Sequence, residues 1–124
     1  KYLVQMNLNQ NSIRFSEQLN LLRESDKLII VEGKKDFAAL KRLEIGKVIT
    51  INKSIFHLID SIDEREVIIL TDLDKTGRRL YSKLRHNLQR KGIKIDNNFR
   101  KFLISETRLT NIEGIITYVS KIKD

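Results

Sequence analysis

Two aspartates that follow an apolar segment are the residues of this sequence whose types and spacing best suit chemistry. Val67 to Leu70 is a short β-branched and aliphatic run, which predicts a buried strand, and Asp72 and Asp74 come just after it. Residues two apart in extended backbone point the same way, so both carboxylates could bind one hard cation. Mg²⁺ prefers oxygen ligands and often takes only one or two carboxylates, with water and substrate phosphate completing its shell. The alternative is that these acids cap the helix that follows.

A second part of the chain repeats this order of apolar strand, acid and glycine. Leu28 to Val31 predicts another buried strand and is followed by Glu32 and Gly33, just as the aspartates are followed by Gly77. In parallel α/β sheets, ligands bind beyond the carboxyl ends of the strands. If the two strands are neighbours, Glu32 therefore shares a site with the aspartates, and the glycines let backbone or phosphate approach closely. The alternative for Glu32 is an ordinary acid in the first turn of a helix.

The positive charge of the chain is concentrated next to the aspartates. The formal net charge is +8, and residues 75–101 contain ten Lys/Arg and a single acid, Asp96. The rest of the chain carries 14 Lys/Arg and 15 acids, so this one segment supplies the whole excess. Such clustering is typical of proteins that bind polyanions, and solubility alone is the alternative explanation. The position beside a carboxylate site favours nucleic acid as the partner.

The segment from Thr76 to Arg90 predicts an amphipathic helix with one apolar and one cationic face. Gly77, Tyr81 and the leucines fall on the apolar face, which should pack on the sheet. We call the opposite face the basic ridge, and its members are Arg78, Arg79, Lys83, Arg85, His86 and Arg90. Arg78 and Arg79 are nearest the acids and best suited to contact phosphate, because a guanidinium binds phosphate bidentately.

The elements that must position these residues alternate between strands and helices. After a leading helix at 12–24, apolar runs predict four strands, each followed by a helix, at 28–31, 47–52, 67–70 and 99–104. This alternation argues for an α/β fold with a parallel sheet and helices on both faces. Lys34 and Lys53 follow the first two strands and are further candidates for phosphate contact, with an exposed loop lysine as the alternative for Lys53. Glu113, in the last predicted helix, is either a capping acid or part of the site rim.

Length and composition limit the classes of protein that this chain could be. With 124 residues and a charged fraction of 32%, one globular domain is expected rather than a disordered chain. The absence of cysteine excludes a disulfide framework and a thiolate metal site. No apolar run approaches the roughly 20 residues that cross a bilayer, and no signal peptide is recognisable. We therefore expect a cytoplasmic protein without a membrane partner.

The two acidic motifs together resemble the Toprim domain, a catalytic domain shared by topoisomerases, bacterial-type primases, some nucleases and small stand-alone proteins. The motifs are Val-Glu-Gly-Lys-Lys-Asp at 31–36 and Leu-Thr-Asp-Leu-Asp-Lys-Thr-Gly at 70–77. The resemblance spans about residues 26–115 and is greatest to small members, such as the ribonuclease that matures ribosomal RNA and archaeal small primase-like proteins. It implies a Rossmann-like Toprim domain at 26–124, with a roughly four-stranded parallel sheet, preceded by an N-terminal extension and helix at 1–25.

The resemblance also implies roles for individual residues. Glu32 would act as general acid/base and contribute to metal binding, and Asp72 and Asp74 would hold Mg²⁺, for which Mn²⁺ could substitute. The implied activity is Mg²⁺-dependent chemistry on nucleic-acid phosphodiesters, and an RNA nuclease is favoured over an enzyme that acts on DNA. The first alternative is a nucleic-acid-binding module with weak or absent catalysis, within a ribonucleoprotein or repair complex.

A second alternative is a small-molecule phosphatase. The residues from Asp72 to Thr76 also satisfy the Asp-x-Asp-x-Thr pattern of haloacid-dehalogenase-type enzymes, whose first aspartate is a nucleophile. In those enzymes the pattern follows the leading strand, whereas here it follows the third predicted strand, and no later acidic pair completes the metal site. These differences make the phosphatase the weakest of the three hypotheses.

Overall fold

The computed structural model describes residues 2–51 and 54–123, which form a sheet of four strands flanked by helices. The strands are β1 (Leu28–Val31), β2 (Val48–Thr50), β3 (Glu66–Ile69) and β4 (Lys94–Ile95). The helices of this part of the chain are α1 (Tyr2–Glu24), α2 (Lys34–Arg42), α3 (Ile55–Ser61), α4 (Lys75–Arg90), α5 (Asn98–Glu106) and α6 (Gly114–Lys123). Lys53 and the end of the second predicted strand lie outside the described residues.

The strands of the described sheet all run parallel, in the order β2-β1-β3-β4. β1 lies between β2 and β3, and its Ile29 is in register with both Val48 and Ile68. The carboxyl ends of β1 and β3 therefore meet at one edge of the sheet, which is the condition for a site shared by the acids that follow them. The predicted α/β fold, with a parallel sheet and helices on both faces, is confirmed.

The central strands are buried on both faces because helices cover each face. Side chains alternate along a strand, so Ile29 and Ile68 point to one face of the sheet while Ile30 and Ile69 point to the other. The first face lies against α1, α2, α5 and α6, and the second lies against α3 and α4. Burial on both faces explains why continuous aliphatic runs, rather than alternating ones, mark the central strands.

The predicted strand at 99–104 is wrong, because this segment belongs to helix α5. Phe99, Phe102 and Leu103 are buried at the i, i+3, i+4 spacing of a helix, while Ile104 is 54% exposed. A short apolar run fits the periodicity of a strand as well as that of a helix. Its aromatic residues have a high strand propensity, so the pattern predicts a strand where a helix forms. The fourth strand is instead β4, two residues long, which follows Gly92 closely and pairs with β3.

Helix α1 is longer than predicted and begins at Tyr2 rather than Ser12. Its buried Phe15 packs against Phe102 of α5, with 5.7 Å between the ring centroids. An ion pair joins the same two helices, with 2.9 Å between Arg14 Nη2 and Glu106 Oε2. None of the helices described, α1 included, combines the length and the apolar character that a membrane crossing requires.

Candidate metal and nucleic-acid site

An open cavity of about 600 Å³ lies at the carboxyl edge of the sheet, where β1 and β3 end. Its wall is formed by residues that follow β1, by one that follows β3 and by one that precedes α6. They are Glu32, Gly33, Lys34, Lys35, Asp36, Asp72 and Glu113. The structure thus brings together Glu32, Asp72 and Lys34 of the predicted site, whereas Asp74 is not part of the cavity wall.

Glu32 and Asp72 are joined through the backbone. The Asp72 N–H donates to Glu32 Oε1 at 2.8 Å, and Asp72 Oδ1 accepts from the Ile112 N–H at 3.0 Å. No described residue donates a hydrogen bond to the second oxygen of either carboxylate. Each carboxylate therefore has one oxygen that accepts no hydrogen bond from a described residue. Carboxylate oxygens are the ligands that Mg²⁺ prefers, so Glu32 and Asp72 fit the cation that the resemblance implies.

Asp36 is a carboxylate of this cavity to which the sequence pattern assigned no role. It lies in the first turn of α2, is only 9% exposed, and accepts a hydrogen bond from the Gly33 N–H at 3.2 Å. Burial raises the pKa of Asp36, and the negative charges of Asp72, Glu32 and Glu113 raise it further, against the opposing effect of the Gly33 hydrogen bond. The acids of the cavity therefore repel one another, and a divalent cation would relieve that repulsion.

We expect Asp36→Asn to stabilise the metal-free protein at neutral pH. Because the pKa of Asp36 is raised on folding, the folded chain binds its proton more tightly than the unfolded chain does. Ionised Asp36 therefore lowers the free energy of unfolding at neutral pH, and this penalty fades as the pH falls toward the unfolded pKa of about 3.9. Asparagine removes the charge and keeps an oxygen for the Gly33 N–H.

Denaturant unfolding in EDTA at pH 7 and pH 4 measures the effect of Asp36→Asn. We expect the variant to exceed the wild type at pH 7 and the difference between them to shrink at pH 4. A variant less stable than the wild type at pH 7 would contradict the conclusion that the ionised Asp36, buried beside other acids, destabilises the folded chain.

Asp74 caps the helix that follows it, as the alternative interpretation of the aspartates allowed. Its Oδ1 accepts a hydrogen bond from the Gly77 N–H at 2.8 Å, and its side chain is exposed. Within residues 2–51 and 54–123, no three His, Asp or Glu side chains lie close enough together to form a ready-made metal cage. The arrangement fits a metal held by few carboxylates with water and phosphate, and the assignment of Glu32, Asp72 and Asp74 as ligands stays a prediction.

The two glycines of the motifs have different surroundings. A Cβ atom on Gly77 would lie 2.0 Å from the backbone oxygen of Asp72, so α4 can approach the end of β3 only because this residue is glycine. A Cβ atom on Gly33 would meet nothing within 4 Å. Gly77 is therefore required for the fold around the acids, and Gly33 leaves open space on the cavity side of Glu32.

A buried arginine, also missed from the sequence, holds the backbone on which Asp72 lies. Arg100 is 3% exposed, and its Nη1 donates to the Thr71 carbonyl at 2.7 Å and to the Thr71 hydroxyl at 3.1 Å. Its Nη2 donates to the Asp72 carbonyl at 3.0 Å, and the Tyr81 ring covers the guanidinium at 4.4 Å from the ring centroid. Burial lowers the pKa of Arg100, while Tyr81, Glu32 and Asp72 oppose the shift, and the side chain stays a cation.

The basic ridge lies on α4, which begins directly after Asp74. All its members, among them Arg78, Arg79, Lys83 and Arg85, are exposed, and none of them lines the cavity. On the opposite side of the helix, Leu84 and Leu88 are fully buried and Tyr81 is half-buried, which confirms the predicted division of its faces. The acidic cavity and the cationic helix are therefore neighbouring surfaces of opposite charge.

Comparison with known proteins points to one family. The sequence profile of the Toprim domain matches residues 26–97. A UPF0292 protein of Methanocaldococcus jannaschii is 36% identical over 114 residues, covering 85% of this chain and 87% of that protein. A UPF0292 protein of Methanosarcina barkeri is 38% identical over 102 residues, covering 77% of this chain and 71% of that protein. A solved structure of a protein from Aquifex aeolicus superposes with a TM-score of 0.74 at 34% identity, covering 79% of this chain and 94% of that one.

Proposed function

This chain belongs to the Toprim domain family, and from that membership we propose that it acts on nucleic-acid phosphodiesters with Mg²⁺, as an RNA-directed nuclease. Toprim domains generally bind Mg²⁺, and the domain indicates a metal-dependent role with nucleic acid. The choice of RNA as substrate and of cleavage as reaction goes further. It is supported by the resemblance of the two acidic motifs to those of small Toprim ribonucleases.

The observation that carries the proposal is the position of Glu32 and Asp72 in the wall of one cavity, where the Asp72 backbone N–H donates to Glu32 Oε1 at 2.8 Å, beside a cationic helix. An acidic cavity alone would repel a polyanion. A nucleic-acid strand could approach it only if positive charge compensated the acids, and the basic ridge and a bound cation would together supply that charge.

Each acid has a role that its contacts support. When bound, Mg²⁺ would neutralise charge on the scissile phosphate. Asp72 and Glu32 would hold it through the oxygens that accept no hydrogen bond from the described residues. In the reaction itself, the same free oxygen of Glu32 would instead accept or donate a proton as general acid/base, since its Oε1 is held by the Asp72 N–H. Asp74, with one oxygen committed to the Gly77 N–H, would contribute its other oxygen.

The basic ridge would bind the nucleic-acid backbone, so we expect Arg78→Ala/Arg79→Ala to weaken binding and to flatten its dependence on salt. Each phosphate contact releases counterions, and losing two contacts should lower the slope of log Kd against log salt by about 1 to 2. Fluorescence anisotropy with a labelled structured RNA, measured across a series of KCl concentrations in EDTA, determines both quantities without any cleavage.

The matched control removes the same charge from the opposite edge of the sheet. Arg65 precedes β3 and Lys94 opens β4, and both are exposed at the amino ends of these strands. We expect Arg65→Ala/Lys94→Ala to retain the wild-type slope. Equal losses in the two double variants would mean that net charge, rather than the basic ridge, determines binding.

Cleavage is tested by incubating the purified chain with labelled structured RNA, single-stranded DNA and double-stranded DNA, each with Mg²⁺ or with EDTA. We expect Mg²⁺-dependent cleavage of the RNA that is lost in Asp72→Asn. Cleavage of DNA alone would overturn the choice of substrate. Cleavage that persists in EDTA or in the Asp72 variant would point to a contaminating nuclease and contradict the proposal.

A binding module with weak catalysis is the second candidate, and one observation favours it. One oxygen of Asp74, which the resemblance implies as a metal ligand, already accepts the hydrogen bond of the Gly77 N–H that caps α4. A chain of this kind would bind RNA tightly and with strong salt dependence but cleave no substrate of the panel. The acids would then serve a partner's chemistry, and cleavage would appear only when that partner is added.

A further inference from the structure

We propose that Arg100 is a positioning residue. By donating hydrogen bonds to the carbonyls of Thr71 and Asp72, it clamps the backbone at Asp72 and so fixes the geometry with which Asp72 binds the metal. The inference rests on the proposed function, because it takes Asp72 as a metal ligand. Arg100 itself does not line the cavity, and its hydrogen bonds and ring contact within the described residues go to the backbone carbonyls of Thr71 and Asp72, the Thr71 hydroxyl and the Tyr81 ring. Apart from the effect of its charge, Arg100 can therefore influence the metal only through the position of Asp72.

Three sets of contacts hold Asp72, and Arg100 provides one of them. The Asp72 N–H is bound to Glu32, its side chain to the Ile112 N–H, and its carbonyl to Arg100. The carbonyl of Thr71, a residue that is completely buried, is held by the same guanidinium. A buried carbonyl without a donor is costly, so without this clamp the backbone at 71–72 would turn toward other donors and move both Asp72 and its bond to Glu32.

Charge and geometry predict opposite effects of Arg100 on the metal. As a cation near Glu32 and Asp72, it would repel a divalent ion, so a role through charge alone means that its removal strengthens metal binding. If Arg100 acts as a clamp instead, its removal weakens metal binding. Arg100→Lys separates the two, because lysine keeps the positive charge but replaces the two donor nitrogens of the guanidinium by one ammonium on a differently shaped side chain, which cannot reproduce the three hydrogen bonds to Thr71 and Asp72 in their original positions.

The experiment measures Mn²⁺ binding to the folded chain from the electron paramagnetic resonance signal of free Mn²⁺, followed by displacement with Mg²⁺. We expect the Mn²⁺ dissociation constant of Arg100→Lys to be about 10-fold higher than that of the wild type, the effect typical of residues that orient metal ligands. A fall in thermal stability alone would be the result for a merely structural residue.

The control is a second cation that clamps backbone carbonyls away from the cavity. Lys91 Nζ donates to the carbonyls of Ile59 and Ile62, at 2.7 Å each, where α4 ends beside α3. We expect Lys91→Met to lose stability and to keep the wild-type dissociation constant for Mn²⁺. A weaker Mn²⁺ affinity in Lys91→Met would show that the measurement follows stability and would overturn the inference.

The outcomes separate the inference from the proposed function. If the wild type binds Mn²⁺ and Arg100→Lys binds it equally well or better, Arg100 is not a positioning residue, and the proposed function is unaffected. If the wild type binds no Mn²⁺, the proposed function fails and the inference fails with it. If Arg100→Lys does not fold, Arg100→Gln decides in its place: it removes the charge and leaves a single donor nitrogen, so loss of charge alone predicts tighter Mn²⁺ binding, loss of the clamp predicts weaker binding, and an equal or tighter affinity overturns the inference.

Discussion

Gly77→Ala is expected to destabilise the chain by about 2 kcal/mol or more, although alanine is the better helix former. Helix propensity favours alanine over glycine by about 1 kcal/mol in a helix interior. Against this, the new Cβ would lie 2.0 Å from the Asp72 carbonyl oxygen, a distance that no rotamer change relieves because both atoms belong to the backbone framework. The start of α4 and the backbone at Asp72 must therefore move apart. Urea unfolding measures the loss.

Gly33→Ala is the matched control for Gly77→Ala, because the same methyl group there meets nothing within 4 Å. The backbone of Gly33 is extended, with φ −147, which alanine adopts without strain. As the residue that caps α2, alanine should cost no more than about 1 kcal/mol. A Gly77→Ala variant as stable as Gly33→Ala would contradict the close approach of α4 to the strand end.

Glu32→Gln is expected to lower the rate of Mg²⁺-dependent cleavage by about 10²- to 10⁴-fold, the usual contribution of a general acid/base. Glutamine keeps an oxygen that can accept the hydrogen bond from the Asp72 N–H, which is 2.8 Å long in the wild type, so the fold around the site should persist. RNA binding should stay intact or improve, since a negative charge is lost beside a polyanion. Single-turnover kinetics with saturating enzyme and saturating Mg²⁺ separate the rate from the binding of RNA and of the metal.

Glu113→Gln provides the control for Glu32→Gln, because it removes the same charge from another wall of the same cavity. Glu113 is exposed and takes no part in the hydrogen bond from the Asp72 N–H to Glu32. We expect its effect on the cleavage rate to be less than 10-fold, from electrostatics alone. Equal losses in both variants would assign the effect to the charge of the cavity rather than to proton transfer by Glu32.

The sequence was sufficient for the architecture because the strands that matter are buried on both faces. Runs such as Leu28–Val31 have few structural alternatives when a glycine and a helix follow them. The error at 99–104 arose where the pattern is ambiguous. Phe99, Phe102 and Leu103 also fit a helix, while the real fourth strand is only two residues long and leaves almost no periodic signal.

The candidate site was predictable in part, and the limit is physical. Glu32 and Asp72 follow adjacent parallel strands, so the topology alone brings them together. Asp36 lies in the cavity wall because it belongs to the first turn of α2. Arg100, on α5, donates to the carbonyl of Thr71, which is 29 residues away in the sequence. The contact of Arg100 depends on how α5 packs against the sheet, which no local sequence pattern indicates. The sequence left two roles open for Asp74, metal ligand and helix cap, and in the structure its carboxylate caps α4.

A divalent cation bound between Glu32 and Asp72 is the central claim, and paramagnetic broadening by Mn²⁺ tests it without knowledge of the substrate. In ¹⁵N-labelled protein, we expect substoichiometric Mn²⁺ to broaden first the amide signals of Gly33, Asp36 and Asp72, and excess Mg²⁺ to restore them. The signals of Arg65 and Lys94, at the amino edge of the sheet, should stay sharp. Broadening centred on other acids, or spread evenly over the chain, would contradict a metal site at the carboxyl ends of β1 and β3.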